Sequence, residues 1–230
     1  LERPVLDVGC GDGLFMSNVF RDPLDVGLDI SGREASRARK RGAYREVVTS
    51  SVFDIPFPEN TFKTVTSNCV FEHLKEPVEA FAEIHRVLQP GGRYVFTAHS
   101  DRYDDYLYYP GLLRRMGLSR LARGYSDFLR ARFKHFSCLS PERWSAMLES
   151  VGFTQITYEY YLPRRSLETF DLLLPLSTSA YVNKKLFGRW VLLPRGWLWK
   201  VFGGFLRARY AIECDCGGAL LMVAYKKTSC

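Results

Sequence analysis

The sequence predicts an α/β fold built on a mostly parallel sheet. Three observations carry this. Short apolar runs of strand length alternate with stretches of helical periodicity, a glycine cluster follows the first run directly, and an acid ends the second run while another follows the third. The chain has 230 residues, nearly half apolar and a quarter charged, enough to bury a substantial core in one soluble domain covering residues 1–230.

The elements follow in order. Val5-Leu6-Asp7-Val8 is a short apolar run of the kind that becomes a buried parallel strand. A helix is predicted from about Leu14 to Phe20. Asp25 to Asp29 reads as the second strand, ending on an acid. Ser31 is placed to cap a helix through Glu34, Ala35 and Ala38. Glu46 to Val48 is a weaker third strand, and Lys63 to Asn68 a fourth, rich in β-branched residues. Pro77 suits a first helical turn, and Val78, Phe81, Ile84, His85 and Leu88 recur at helical spacing. Gln89-Pro90-Gly91-Gly92 is expected to stop that helix, with a fifth strand from Arg93 to Ala98. Ser140 and Pro141 open another helix as cap and first residue. Trp144, Met147, Leu148 and Val151 form its apolar face, and Gly152 ends it. Phe153 to Tyr161 alternates like a strand, and Ala219 to Tyr225 is the last strand. Residues 1–100 thus form a core, whereas residues 100–138 and 162–216 break the rhythm and read as insertions on the substrate side of the sheet.

The six cysteines are scattered without a CxxC pair, which points to a reduced, cytoplasmic setting. Cys214-Asp215-Cys216 lacks the partner ligands that a metal needs, so no metal site is read from spacing. Charge is uneven. Residues 1–100 carry 12 basic and 14 acidic side chains, against 20 and 11 in residues 101–230. The second part therefore looks adapted to an anionic substrate, surface or polymer.

Chemistry concentrates at the strand ends. Gly9-Cys10-Gly11-Asp12-Gly13 allows a tight turn and lets a ligand lie against the backbone. Asp29 stands 16 residues after Gly13, where a carboxylate accepts hydrogen bonds from both ribose hydroxyls of a nucleoside. Asp54, in Val52-Phe53-Asp54-Ile55-Pro56-Phe57-Pro58, is placed to accept a bond from an adenine amino group. Arg86 to Gly92 is a sharp helix-to-strand turn.

Val5 to Phe15, Asp54 to Pro58, Ser67 to Leu74 and Arg86 to Phe96 together resemble the successive motifs of class I S-adenosylmethionine-dependent methyltransferases. The likeness spans about residues 4–100, with a weaker echo in 136–160. It implies a Rossmann-like, seven-stranded sheet flanked by helices, with the last strand antiparallel. It implies S-adenosylmethionine as cofactor, with its methionine end against Asp7, Gly9, Gly11 and Gly13. By the same resemblance Asp29 and Ile30 hold the ribose, Phe53 and Asp54 frame the adenine, and Asn68 faces the sulfonium. Lys63 departs from the pattern, which often has an acid there. The chain begins at Leu1 almost on its first strand, so the helix that covers the cofactor in this family, and any targeting signal, are expected to be missing. Nicotinamide and flavin enzymes prefer G-x-G-x-x-G, whereas this loop is G-x-G-x-G. A nucleotide-dependent oxidoreductase therefore ranks lower, and a non-catalytic cofactor- or membrane-binding module on the same fold is the other alternative.

Methyl transfer needs a base only when the acceptor carries a proton that must leave. His99, at the end of the fifth strand, and His73, after the fourth, are the candidates. His85 lies in a helix that must cover the sheet and reads as structural, and His135 falls in the first insertion. Residues 172–212 hold no acid but contain Lys184, Lys185, Arg189, Arg195, Lys200, Arg207 and Arg209 among Trp190, Trp197, Trp199 and other aromatics. Three readings stay open: an anionic membrane surface that draws a lipid-like substrate, an apolar lid over a soluble substrate, or a packed helical subdomain with a basic outer face. Nucleic acid ranks below these because Leu and Val are also abundant. Likewise, Tyr103, Tyr106, Tyr108 and Tyr109 of the first insertion either line a pocket or sit in a solvated helix pair.

Overall fold

The computed structural model describes residues 1–187, 204 and 215–228. Among them, seven strands form one sheet in the order β3-β2-β1-β4-β5-β7-β6. β1 is Val5–Val8, β2 Leu24–Asp29, β3 Tyr44–Thr49, β4 Phe62–Asn68, β5 Leu88–His99, β6 Phe153–Tyr161 and β7 Ala219–Lys226. Parallel pairing sets Leu6 beside Val26 on one side and Val65 on the other. β7 runs antiparallel; the Thr154 hydroxyl near the start of β6 bonds the Tyr225 carbonyl near the end of β7 at 3.3 Å.

The helices are α1 Leu14–Val19, α2 Gly32–Arg41, α3 Pro77–Val87, α4 Tyr108–Arg115, α5 Ser119–Phe133, α6 Pro141–Ser150 and α7 Arg164–Phe187. The chain winds outward from β1 through β2 to β3, then returns to β4 on the other side of β1. Strand order therefore reverses between β1 and β4, the position where open α/β sheets gather ligands beyond their carboxyl ends.

The chain divides into two compact units. The first comprises Leu1–His99, His135–Glu159 and Leu220–Cys230. One of its core clusters joins Val5, Met16, Leu24, Ala35, Ala38, Tyr44 and Val47. Elsewhere in this unit its largest buried side chains are aromatic. Phe71 stacks on Phe81 at 4.4 Å, Tyr94 on Phe96 at 4.9 Å, and Trp144 meets Phe81 edge-on at 6.1 Å. Tyr94 and Phe96 share one face of β5 because strand side chains alternate. Trp144 brings α6 onto α3, and its fully buried indole fills the space between them.

The second unit comprises Ser100–Lys134 and Tyr160–Ala219. A cluster of Tyr103, Leu107, Leu129 and Leu167 holds α5 and α7 together. Fully buried Asp171 accepts the Tyr109 backbone N–H at 2.9 Å and the Tyr125 hydroxyl at 2.5 Å. Tyr103 is thus core, while Tyr108 stays exposed.

Some local expectations change. Gln89-Pro90-Gly91-Gly92 does not precede β5 but lies within it. The register jumps from Phe62 opposite Leu88 to Thr64 opposite Arg93, so the intervening residues bulge from the ladder, helped by Gly91 at φ 70. Ser140 occupies the cap position of α6 with extended backbone, yet its side chain accepts no capping bond. Ser31 does cap α2, through a long 3.4 Å bond from the Glu34 N–H. Burial along β6 does not alternate cleanly. Residues 135–138, read as part of the first insertion, belong to the first unit. Most of the basic aromatic stretch 172–212, with its three tryptophans, lies outside the described residues. No helix among the described residues is long and apolar enough to cross a membrane.

Candidate active site

The loop after β1 turns by three left-handed glycines, Gly9, Gly11 and Gly13, with φ of 72, 54 and 75. Gly9 and Cys10 N–H groups both bond the Leu28 carbonyl, at 2.7 and 2.9 Å, which pins the loop to the end of β2. A methyl group on Gly9 would stand 2.4 Å from Val70, so side-chain space there is already taken. Gly11 differs: a methyl group there would meet nothing within 4 Å. The loop therefore presents bare backbone to open space at Gly11, the shape of a ligand cradle.

Asp29 closes this cradle from β2. One carboxylate oxygen accepts the Gly11 N–H and the other the Ser31 N–H, each at 2.8 Å. Each oxygen keeps a further lone pair for a ligand hydroxyl. Ile30 beside it is 76% exposed and Phe53 41%, apolar side chains held out at the strand ends as a planar ring would need. Phe53 and Asp54 ride a turn tied by the Asp54 N–H to Ser51 and by the Ser50 hydroxyl to the Asp54 carbonyl at 2.7 Å. A cavity of about 160 Å³ adjoins α1 and the ends of β4 and β5, lined by Phe15, Met16, Asn68 and Phe96 among others.

Asp7 lies under the loop, 3% exposed. Its carboxylate accepts the Tyr44 hydroxyl at 2.5 Å and the Thr66 hydroxyl at 2.8 Å. Burial pushes its pKa up to about 6; the two hydroxyl bonds oppose this and the nearby Asp29 charge adds to it. Burial also pushes the Cys10 thiol up to about 12, keeping it protonated and inert.

A second constellation forms at the ends of β4 and β5. Cys69 leaves β4 with a left-handed φ of 54, an unusual conformation for a residue with a side chain. Its N–H bonds the Thr97 hydroxyl at 3.1 Å, which in turn donates to the Asn68 side-chain oxygen at 2.8 Å. Next comes a single 3-10 turn, Phe71–His73, anchored by Phe71 in the aromatic core. That anchor turns Glu72 inward, fully buried, and leaves His73 exposed. The segment after α5 is stitched to this turn. Phe136 and Ser137 N–H groups bond the Glu72 carbonyl at 2.7 and 3.1 Å, and the Ser137 hydroxyl bonds the Leu74 carbonyl at 3.0 Å.

This stitching brings three of the four histidines together. The His99 and His135 rings lie 4.5 Å apart and those of His73 and His135 5.3 Å. His99 Nδ1 stands 3.1 Å from a Glu72 carboxylate oxygen. Burial, then repulsion from His135 and His73, lowers the His99 pKa to about 3, so its imidazole is neutral at physiological pH. Burial raises that of Glu72. His85 is elsewhere, edge-on to Phe153 at 5.1 Å, in line with a structural role.

Thus Asp7, Gly9, Gly11, Gly13, Asp29 and Ile30 stand around one loop, with Phe53 and Asp54 on the turn after β3 and Asn68 at the end of β4. His73 and His99 belong to the second constellation. Sequence reasoning missed Glu72, Cys69 and Cys138, and placed His135 only in the first insertion. The His135-x-x-Cys138 spacing was a signal within reach; nothing local marked Glu72 as buried.

Residues 6–96 match the family model described as a methyltransferase domain. The chain is 33% identical over 113 residues to a demethylmenaquinone methyltransferase of Symbiobacterium thermophilum, covering 45% of each chain. It is 37% identical over 108 residues to a fatty-acid O-methyltransferase of Mycolicibacterium smegmatis, covering 44% of this chain and 39% of that one. These matches span less than half the length of those relatives. Among solved structures, it resembles a possible histamine N-methyltransferase from Thermotoga maritima, at TM-score 0.59 and 17% identity, over 99% of this chain and 83% of that one. At that identity the likeness concerns the fold.

Proposed function

We propose that this chain is a class I S-adenosylmethionine-dependent methyltransferase, as the match of residues 6–96 to a methyltransferase-domain model supports, and that it transfers a methyl group from S-adenosylmethionine to a small or lipid-like acceptor. The observation that carries this is the glycine hairpin open above Gly11 and closed by Asp29. The residues fit the cofactor. Gly9, Gly11, Gly13 and Asp7 take the methionine end, Asp29 and Ile30 the ribose, Phe53 and Asp54 the adenine, and Asn68 stands toward the sulfonium. When bound, the cofactor supplies an already activated methyl carbon. The protein's share is alignment and exclusion of water, worth on the order of 7–11 kcal/mol in favourable intramolecular models. His99 and His73 are the candidate acceptors for an acceptor-derived proton, and exposed His73 is the one able to pass it to solvent.

The acceptor class rests on the relatives, named for a quinone precursor and a fatty acid. Contact with an anionic membrane through residues 172–212 is the finer proposal, and the composition of that stretch supports it. Binding to anionic vesicles at low salt, weakened by added salt, is the expected result in co-sedimentation. The enzymatic proposal is tested by calorimetry with S-adenosylmethionine and by release of S-adenosylhomocysteine with quinol, fatty-acid and amine acceptors. Saturable binding and acceptor-dependent release are expected; absence of heat from both compounds would sink it.

Asp7 adds a pH signature. Its folded pKa of about 6 exceeds the usual carboxylate value, so it is protonated below that pH. A cationic ligand nearby favours the ionised form and releases the proton. Affinity is therefore expected to rise from pH 5 to 7 and level off above, with proton release in the lower range; Asp7→Asn flattens the profile. Folding stability moves the other way, being lost as pH rises from the unfolded value through about 6.

A further inference from the structure

We propose that His99, His135 and Cys138 bind a zinc-type divalent cation, with Glu72 as the carboxylate that orients His99. One ligand atom from each of the three residues lies within 4.8 Å of the others. A tetrahedral zinc with ligands about 2.0–2.3 Å away holds its donors about 3.3–3.8 Å apart, within reach of small side-chain rotations. Two imidazoles and a thiolate are donors that zinc favours over magnesium or calcium. Three protein ligands with a fourth position left over is the arrangement of catalytic rather than structural zinc.

Glu72 supplies the independent observation. It is fully buried, and both carboxylate oxygens are enclosed without a well-aligned hydrogen bond. The Cys69 thiol lies near enough to favour the ionised form of Glu72, against the burial that raises its pKa. His99 Nδ1 stands 3.1 Å from one of the Glu72 oxygens. A buried carboxylate so placed needs a compensating charge or proton nearby. A carboxylate on one ring nitrogen of a histidine, with the other nitrogen on a metal, is the usual outer layer of zinc sites. With Nδ1 facing Glu72, Nε2 is the nitrogen of His99 that would turn to the ion. The fold holds this geometry for reasons local to the site: the core-anchored Phe71 buries Glu72, and the bonds from Phe136 and Ser137 bring His135 and Cys138 to it.

The binding site stands by itself; its role rests on the proposed methyl transfer. The fourth position takes the hydroxyl or thiol of the acceptor. The cation lowers that group's pKa, its proton leaves to His73 or solvent, the new oxygen–carbon or sulfur–carbon bond forms, and the sulfonium–methyl bond breaks to give the neutral thioether product. His99 then serves as a ligand and His73 remains the base.

The test titrates the chelator-stripped full chain with Co²⁺ and reads absorption. Expected is one equivalent bound, with tetrahedral visible bands and a thiolate-to-cobalt band in the near ultraviolet. Cys138→Ser removes the thiolate band and weakens zinc at least about 100-fold, whereas Cys216→Ser keeps both. Glu72→Gln keeps the band but weakens zinc about 10–100-fold. Absence of saturable cobalt binding, or a thiolate band that survives Cys138→Ser, overturns the site. Should that variant misfold by circular dichroism, X-ray absorption of the zinc-loaded wild type decides: one sulfur and two nitrogens support the site, and a sulfur-free or all-sulfur shell refutes it. None of these readings uses S-adenosylmethionine, so calorimetry with that compound reports separately on the methyl-transfer proposal.

Discussion

Asp29→Ala is expected to weaken S-adenosylmethionine binding by roughly 100-fold or more, since hydrogen bonds to a charged acceptor contribute about 1.5–3 kcal/mol each and two ribose hydroxyls lose theirs. A second effect adds to this. The same carboxylate tethers the Gly11 N–H at 2.8 Å, so the cradle itself loosens. Asp29→Asn keeps the shape but not the charge, and its affinity falls between the two. Stability changes little, because the site is only partly buried and the freed N–H groups can turn to water. Calorimetry beside a thermal melt separates these quantities. An alanine variant that binds like wild type would remove Asp29 from the ribose site and with it the reading of the loop.

Gly9→Ala should show the opposite balance, a large loss of stability. Its φ of 72 costs a side chain about 1–2 kcal/mol. The added methyl meets Val70 at 2.4 Å, and relief of such overpacking typically costs a further 1–3 kcal/mol. A total on the order of 3 kcal/mol lowers the melting temperature by roughly 6–12 °C in a domain of this size. Val70→Ala in the same chain should recover the steric share and leave the backbone share. Gly11→Ala provides the contrast. Its methyl enters open space, so the fold loses only the backbone cost, yet the methyl occupies room assigned to the cofactor. Melting temperatures of these variants that fall together, without rescue by Val70→Ala, would show that the contact between Gly9 and Val70 does not limit this loop.

Where chemistry and sequence neighbours coincide, the chain could be read directly. A buried strand, a glycine turn and an acid at the next strand end lie within Val5–Asp29, and each feature depends on residues a few positions apart. The α/β rhythm was legible for the same reason, since periodicity of 2 or 3.6 is a local property. The Gln89–Gly92 bulge was not, because turn residues look alike whether they end a helix or loop out of a strand; pairing with Phe62 and Thr64 made the choice. Nor was the silent hydroxyl of Ser140, whose type and position both suited a cap.

The polar cluster owes still more to folding. Glu72, His99 and His135 are separated by dozens of residues, and no periodicity links them. They meet because β4 and β5 are neighbours in the sheet and because Phe71, once buried among aromatics, leaves Glu72 nowhere to point but inward. Burial is a property of the assembled molecule, and so are the shifted pKa values of Asp7 and His99 that follow from it. Residue types and short spacings therefore carried the cofactor loop, whereas long-range packing alone set which charges lie in the dark and which donors face each other.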